Sequence, residues 1–293
     1  MRFAGSYVAL ATPFAKGGSL DEAALRRLVR LHLRAGTAGL VPCGSTGEAA
    51  TLSHEEYRRV VGMTLEESRG LLPVIAGVGT NATAKAVELA REAESLGADA
   101  LLVLSPYYNK PTQEGLYQHF RAVARNTRLP IIVYNIPGRT AVNIQPKTLL
   151  RIVADCPNAA AVKEASGSLD QVSEILAGAP QGFAVLSGDD SLTVPMMAVG
   201  ASGVISVVAN VAPKQTAAMC AAALAGDFKK ARALHLKLFP LIKALFLETN
   251  PIPVKAALEM LGLCRGEPRL PLTPMTAPNR KLLRRQLAAC GLL

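Results

Sequence analysis

"PVIAGVGTNATAKAVELAREAESLGADALLVLSP", residues 73–106, holds one full beat of the alternation that decides the fold. Its first run, "PVIAGVG", has the length of a strand buried on both faces. "TAKAVELAREAESLGAD" is long enough for a helix and stops at Gly97, a residue suited to the left-handed conformation that ends helices. A second apolar run, "ALLVLSP", follows at once, so strand, helix and strand are joined by a crossover that fits parallel pairing. "GVGTNA", from Gly77, begins like a dinucleotide fingerprint but lacks its third glycine and is weak support for a nucleotide site. "NAT" at Asn81 matches a glycosylation acceptor by chance, because nothing else points to secretion.

Outward from this beat the pattern repeats. "SYVALATP", "GLVPCG", "PVIAGVG", "ALLVLSP", "IIVYNIP", "AAAVKEA", "FAVLSG" and "GVISVVA" make eight strand-length runs. Helix-like segments separate most of them, and two carry residues in capping-box positions, Ser53 with Glu56 and Ser168 with Gln171. Eight such units predict a closed (β/α)8 barrel, a TIM barrel of the α/β class, with a doubly wound open sheet as the runner-up. From about residue 214 the pattern turns wholly helical; "NPIPVKAALEMLG" opens on prolines that suit a first helical turn, and Gly262 closes it. The expected division is a catalytic barrel over residues 1–224 and a C-terminal all-helical extension over residues 225–293, packed on the barrel or on another subunit.

Composition narrows the function. Half of the 293 residues are apolar and 18% are charged, which supplies a large core and gives no sign of disorder. The formal charge of +10 comes from dispersed basic residues. Its densest group, Arg26, Arg27, Arg30 and Arg34, sits among leucines at helical spacing and predicts a solvated helix face. With no Trp and few aromatics for base stacking, no nucleic-acid partner is expected. The five cysteines lack CxxC or Cys/His spacing and predict reduced thiols, a cytoplasmic location and no metal. No apolar run approaches the roughly 18 to 20 residues that span a membrane. The amino terminus, whose apolar run is broken by Ser6, Thr12 and Pro13, predicts an opening strand and not a signal peptide.

Chemistry in such a barrel sits at the carboxyl ends of the strands. There this chain places "GSTGE" (44–48), "SPYYNKP" (105–111), "YNIPGRT" (134–140), Lys163, "SGDD" (187–190) and "GVIS" (203–206). The four histidines fall on helix-like segments, so neither a metal cluster nor a Ser/His/Asp set can be assembled. A lysine walled off from water by strands is a nucleophile for a carbonyl carbon, and Schiff-base chemistry is its natural use. Lys163 and Glu164 are consecutive in a strand, so they face opposite sides and only one enters the barrel. Tyr134 could shuttle the protons that imine and enamine formation require, with Ser45 and Tyr108 relaying them to solvent. The small residues and hydroxyls of "GSTGE" suit a carboxylate, and Arg139 offers a second, bidentate grip.

"GSTGEAATLSHEEY", "SPYYNKPTQEGLYQHF", "YNIPGRT", "VKEASG", "LSGDD" and "NPIPVK" together resemble the dihydrodipicolinate synthase family, within the pyruvate-dependent class I aldolases, over essentially the whole chain. The resemblance implies a (β/α)8 barrel with helical C-terminal domain, assembled as a homotetramer, a dimer of dimers. It implies that Lys163 forms the Schiff base with pyruvate, that Tyr134 is the general acid/base, and that Ser45 and Tyr108 complete the relay, the latter from the adjacent subunit. Thr46, with the backbone near Ile205, matches the pyruvate carboxylate site, and Arg139 matches the arginine that receives the carboxylate of L-aspartate 4-semialdehyde. The implied reaction joins these two substrates on the diaminopimelate route to lysine, with no cofactor besides the covalent link to Lys163.

Two departures stand out. Ser45 replaces a threonine found in many of these synthases, which keeps the hydroxyl and loses the methyl that restricts its rotamer. Residues matching Ala49, His54, Tyr57, Asn81, Lys85 and Tyr107 bind inhibitory lysine in sensitive members, where Lys85 is typically glutamate and Tyr57 histidine. A lysine at position 85 repels the inhibitor's ammonium, so weak or absent feedback is expected. Two other readings stay open: an aldolase acting on a sugar acid or another 2-keto acid, such as sialic acid, and a non-catalytic barrel that binds a carboxylate. "GSTGE" occurs in sialic-acid lyases as well, whereas "GRT" after "YNIP" favours the synthase.

Overall fold

The computed structural model describes residues 2–293. Eight parallel strands, β1 (Gly5–Ala9), β2 (Gly39–Val41), β3 (Ile75–Gly77), β4 (Ala100–Leu104), β5 (Ile131–Asn135), β6 (Ala159–Glu164), β7 (Ala184–Ser187) and β8 (Gly203–Ser206), follow one another around the sheet, with β8 returning to pair with β1. The remaining seam closes through a parallel bridge between Leu40 and Val74 and a hydrogen bond from Gly77 N to Pro42 O. The result is the (β/α)8 barrel that the eight apolar runs predict.

Helices α1 (Glu22–Leu33), α2 (His54–Ser68), α3 (Thr83–Leu96), α4 (Gln113–Ala124), the single turn α5 (Pro137–Thr140), α6 (Pro146–Asp155), α7 (Leu169–Gly178), α8 (Thr193–Ala198) and α9 (Pro213–Leu224) surround it. Three more, α10 (Phe228–Ala244), α11 (Ile252–Met260) and α12 (Ala277–Ala289), complete the chain. No helix among the described residues is long and apolar enough to cross a membrane.

Why the strands read as unbroken apolar runs is visible in the packing. Alternate residues serve two cores: Val8, Leu101, Val133 and Val162 face the helices, while Tyr7, Leu102, Ile132, Ala161 and Ile205 fill the barrel. A strand buried on both faces has no polar positions to show. Where backbones crowd, glycine is required: a Cβ at Gly203 would lie 2.0 Å from Gly5 O.

The helix ends follow local chemistry. Ser53 and Glu56 form the full capping box of α2, and Gly97, at φ +94°, ends α3. At α7 only half of the expected box forms. The Ser168 hydroxyl accepts from Gln171 N at 3.1 Å, but the Gln171 side chain turns away to donate to Glu164 Oε2 at 3.0 Å. A buried carboxylate without a cation needs neutral donors, and this one takes the glutamine. The arginines of α1 lie on a solvated face as expected, Arg26 and Arg30 pairing with Glu67 of α2.

Candidate active site

The parallel register sets Tyr134 of β5 directly beside Lys163 of β6, at the carboxyl ends of both strands. The Lys163 side chain points into the barrel, is 5% exposed, and has its Nζ 4.1 Å from the centroid of the Tyr134 ring. Glu164 faces the opposite way, toward the helices, where Asn135 Nδ2, Gln171 Nε2 and Ser166 N donate to it. That cluster ties the end of β5 to the end of β6 and so fixes the two backbones that present Tyr134 and Lys163. It was absent from the sequence reading, although a glutamate beside a strand-end lysine was its signal.

Space for Lys163 depends on its neighbours. Ala161 lies one layer below on the same strand, and a Cβ on Gly188 of "SGDD" would sit 3.2 Å from Lys163 Cε and 2.7 Å from Ala165 Cβ. Asp190 of the same segment is buried, and its Oδ2 accepts from Val207 N and Val208 N at 2.9 Å each, pinning the turn after β8. Burial raises the pKa of this carboxyl.

Above the barrel mouth lies a cleft of about 550 Å³ lined by Ser45, Tyr134 and Arg139 together with Asn250. Thr46 is buried beside it, its Oγ1 accepting from Asn250 Nδ2 at 2.9 Å, while Arg139 on α5 donates from Nη2 to Asn250 O at 2.8 Å. One asparagine from the C-terminal region therefore touches both residues assigned to substrate carboxylates. Ile205 is fully buried in β8, within the barrel core. The turn over residues 44–48 is held by bonds from Ala49 N to Gly44 O, Glu48 N to Ser45 O, and Thr12 Oγ1 to Gly47 O.

Tyr108 is not brought to this cleft in its own chain. It is 89% exposed, in the left-handed region at φ +73°, while its neighbour Tyr107 lines the cleft wall. Of the residues expected to form a regulatory site, Ala49, His54, Tyr57, Lys85 and Tyr107 line the same cleft. Asn81 is not part of that lining; its backbone oxygen accepts from Asn109 Nδ2. Lys85 Nζ lies 3.0 Å from Glu88 Oε2 in an exposed pair. The Tyr57 hydroxyl is buried with no partner, and burial raises its pKa well above the usual value.

Two of the histidines are buried away from the cleft lining. His32 and His119 bond to Thr37 and Thr83, and burial lowers the pKa of each to about 4, so both are neutral at neutral pH. Among the described residues no group of His, Cys, Asp and Glu could hold a metal ion. A second buried lysine, Lys255, lies on α11, beyond the barrel. It is fully buried, and its Nζ is 2.5 Å from Glu48 Oε1.

A barrel whose mouth combines a buried lysine, an adjacent phenol, hydroxyls and an arginine has the parts of a class I aldolase, which works on carbonyl carbons through a lysine imine. Comparison with known proteins agrees. The model of the Dihydrodipicolinate synthetase family matches residues 2–290. A 4-hydroxy-tetrahydrodipicolinate synthase from Syntrophus aciditrophicus is 52% identical over 99% of each chain. Crystal structures of dihydrodipicolinate synthase from Aquifex aeolicus and Thermotoga maritima superpose with TM-scores of 0.97 and 0.98, at 50% and 48% identity, covering 99% and 100% of both chains. The chain belongs to the dihydrodipicolinate synthetase family.

Proposed function

We infer that this chain is a lyase of the class I aldolase type that condenses pyruvate with L-aspartate 4-semialdehyde, giving 4-hydroxy-tetrahydrodipicolinate on the diaminopimelate route to lysine. The observation that carries the reading is Lys163, buried in the barrel against the Tyr134 ring, in a chain half identical to named synthases. The Lys163 amine adds to C2 of pyruvate, and loss of water leaves a protonated imine. Removal of a methyl proton gives an enamine, whose carbon attacks the aldehyde, and the amino group of that substrate then adds to the imine carbon, closing the ring and displacing the Lys163 amine. Tyr134, the register neighbour of Lys163, is the group assigned to move those protons, and Ser45, which lines the same cleft, is assigned to the relay. Thr46 and the turn around it take the pyruvate carboxylate, with the β8 backbone near Ile205, and Arg139 takes the carboxylate of the aldehyde.

The Lys163 imine does the work of a cofactor, so none is assigned. The exposed Tyr108 fits a role in a neighbouring subunit's site, within a homotetramer built as a dimer of dimers. Five cysteines, all free, accord with a reducing cytoplasm. The decisive assay compares two activities of the purified protein. Condensation of pyruvate with aspartate semialdehyde is expected, and cleavage of N-acetylneuraminate is not; the opposite pattern moves the chain to the sugar-acid aldolases.

Residues 49, 54, 57, 81, 85 and 107 are assigned to a regulatory region that has lost most of its affinity for lysine. Lys85 presents an ammonium, only partly offset by the exposed Glu88, and Tyr57 has its hydroxyl turned into the protein. Steady-state rates are expected to stay unchanged at sub-millimolar lysine. Half-inhibition in that range would overturn the assignment.

A further inference from the structure

Glu48 ends the "GSTGE" turn in the left-handed region, at φ +53°, a conformation that costs a residue bearing a Cβ. Its side chain is buried, with both oxygens engaged. Oε1 takes the Lys255 ammonium at 2.5 Å, and Oε2 accepts from Arg269 N at 2.9 Å. Lys255 is 0% exposed and Glu48 5%. The Lys255 Nζ and the Arg269 guanidinium each lie 4.1 Å from the centroid of the Phe14 ring. Burial lowers the pKa of the Lys255 ammonium, and Glu48 opposes that shift.

A buried ion pair is weak as a device for stability, because desolvation offsets most of the attraction. Its better use is to fix register. Glu48 is two residues from Thr46 and three from Ser45, and Lys255 is five from Asn250, which bonds Thr46 and Arg139. Both ends of the pair thus lead directly to the carboxylate-binding groups. Holding Glu48 in its strained conformation also sets the direction in which the preceding turn presents its hydroxyls and N–H groups.

We propose that Glu48 and Lys255 are positioning residues, whose buried pair anchors the Ser45–Thr46–Gly47 turn to helix α11 in the orientation that receives the pyruvate carboxylate. The C-terminal helical region is then part of the substrate site and not only a cover for the barrel. This rests on the synthase reading above, and wild-type condensation with trapping of pyruvate on Lys163 tests that reading separately.

The test compares Lys255→Met and the double variant Glu48→Gln/Lys255→Met with wild type, using KM for each substrate, kcat and the melting temperature. Lys255→Met leaves an unpaired buried carboxylate and is expected to lose thermal stability and to raise KM for pyruvate by about tenfold or more, with kcat changed by less than about threefold. The double variant removes both charges, so its melting temperature is expected to recover while KM for pyruvate stays raised. KM for the aldehyde is expected to move less than about threefold in both. A double variant that folds and returns to within about twofold of wild-type KM for pyruvate overturns the proposal, because the pair then matters only for stability. Failure of both variants to fold overturns it on the same ground. A wild-type protein that neither condenses nor forms the adduct refutes the synthase reading instead.

Discussion

Lys163→Ala is expected to lower the condensation rate by a factor on the order of 10⁴ or more and to leave no pyruvate-derived adduct after borohydride reduction, where wild type gains one on Lys163. The size follows from what is removed. Without an amine the reaction loses the covalent step that makes the pyruvate methyl acidic, and hydroxyls and an arginine at the rim cannot replace it. The fold should survive. Lys163 has no ion-pair partner among the salt bridges of the described residues, and its neighbours along the barrel interior include Ala161, so truncation breaks no ion pair and leaves a small space. The melting temperature is therefore the control, expected within a few degrees of wild type. Mass spectrometry of the peptides decides the alternative: an adduct persisting on Lys255 would reassign the nucleophile. That outcome conflicts with the geometry, since Lys255 is sealed from solvent and held by Glu48.

The same two lysines show what a sequence exposes and what it conceals. Barrel architecture was legible because strands buried on both faces leave apolar runs, and because the spacing between runs admits a helix. The opposite orientation of Lys163 and Glu164 was legible too, since alternation along a strand is a property of the backbone alone. Pairings across long separations were not. Glu48 and Lys255 are 207 positions apart, and Asn250 lies 204 from Thr46. Nothing in "NPIPVK" announces that its helix docks on the "GSTGE" turn. The half-formed cap at Ser168 has the same origin: local pattern assigns Gln171 to the helix end, and a carboxylate from the neighbouring strand draws it away. Gly188 is a further case, its need for a bare Cα visible only once the lysine's path is known.

Tyr134→Phe separates the phenol's chemistry from its packing. The ring centroid lies 4.1 Å from Lys163 Nζ, and phenylalanine keeps that packing. Only the hydroxyl is lost, and the residue is 5% exposed, so little water is on hand to take over its role. General acid/base catalysis by a positioned side chain contributes about 10²- to 10⁴-fold, equivalent to roughly 3 to 5 kcal/mol of barrier. We therefore expect kcat to fall about 10²-fold or more, with KM for pyruvate shifted less than about threefold. Borohydride should still trap pyruvate on Lys163, but more slowly, because carbinolamine dehydration is one of the steps assigned to the phenol. Rapid-quench trapping measures this directly. If adduct forms at the wild-type rate while kcat falls, the phenol serves only the steps after imine formation. If neither changes, proton transfer runs through another group, and Ser45 at the cleft wall becomes the residue to replace next.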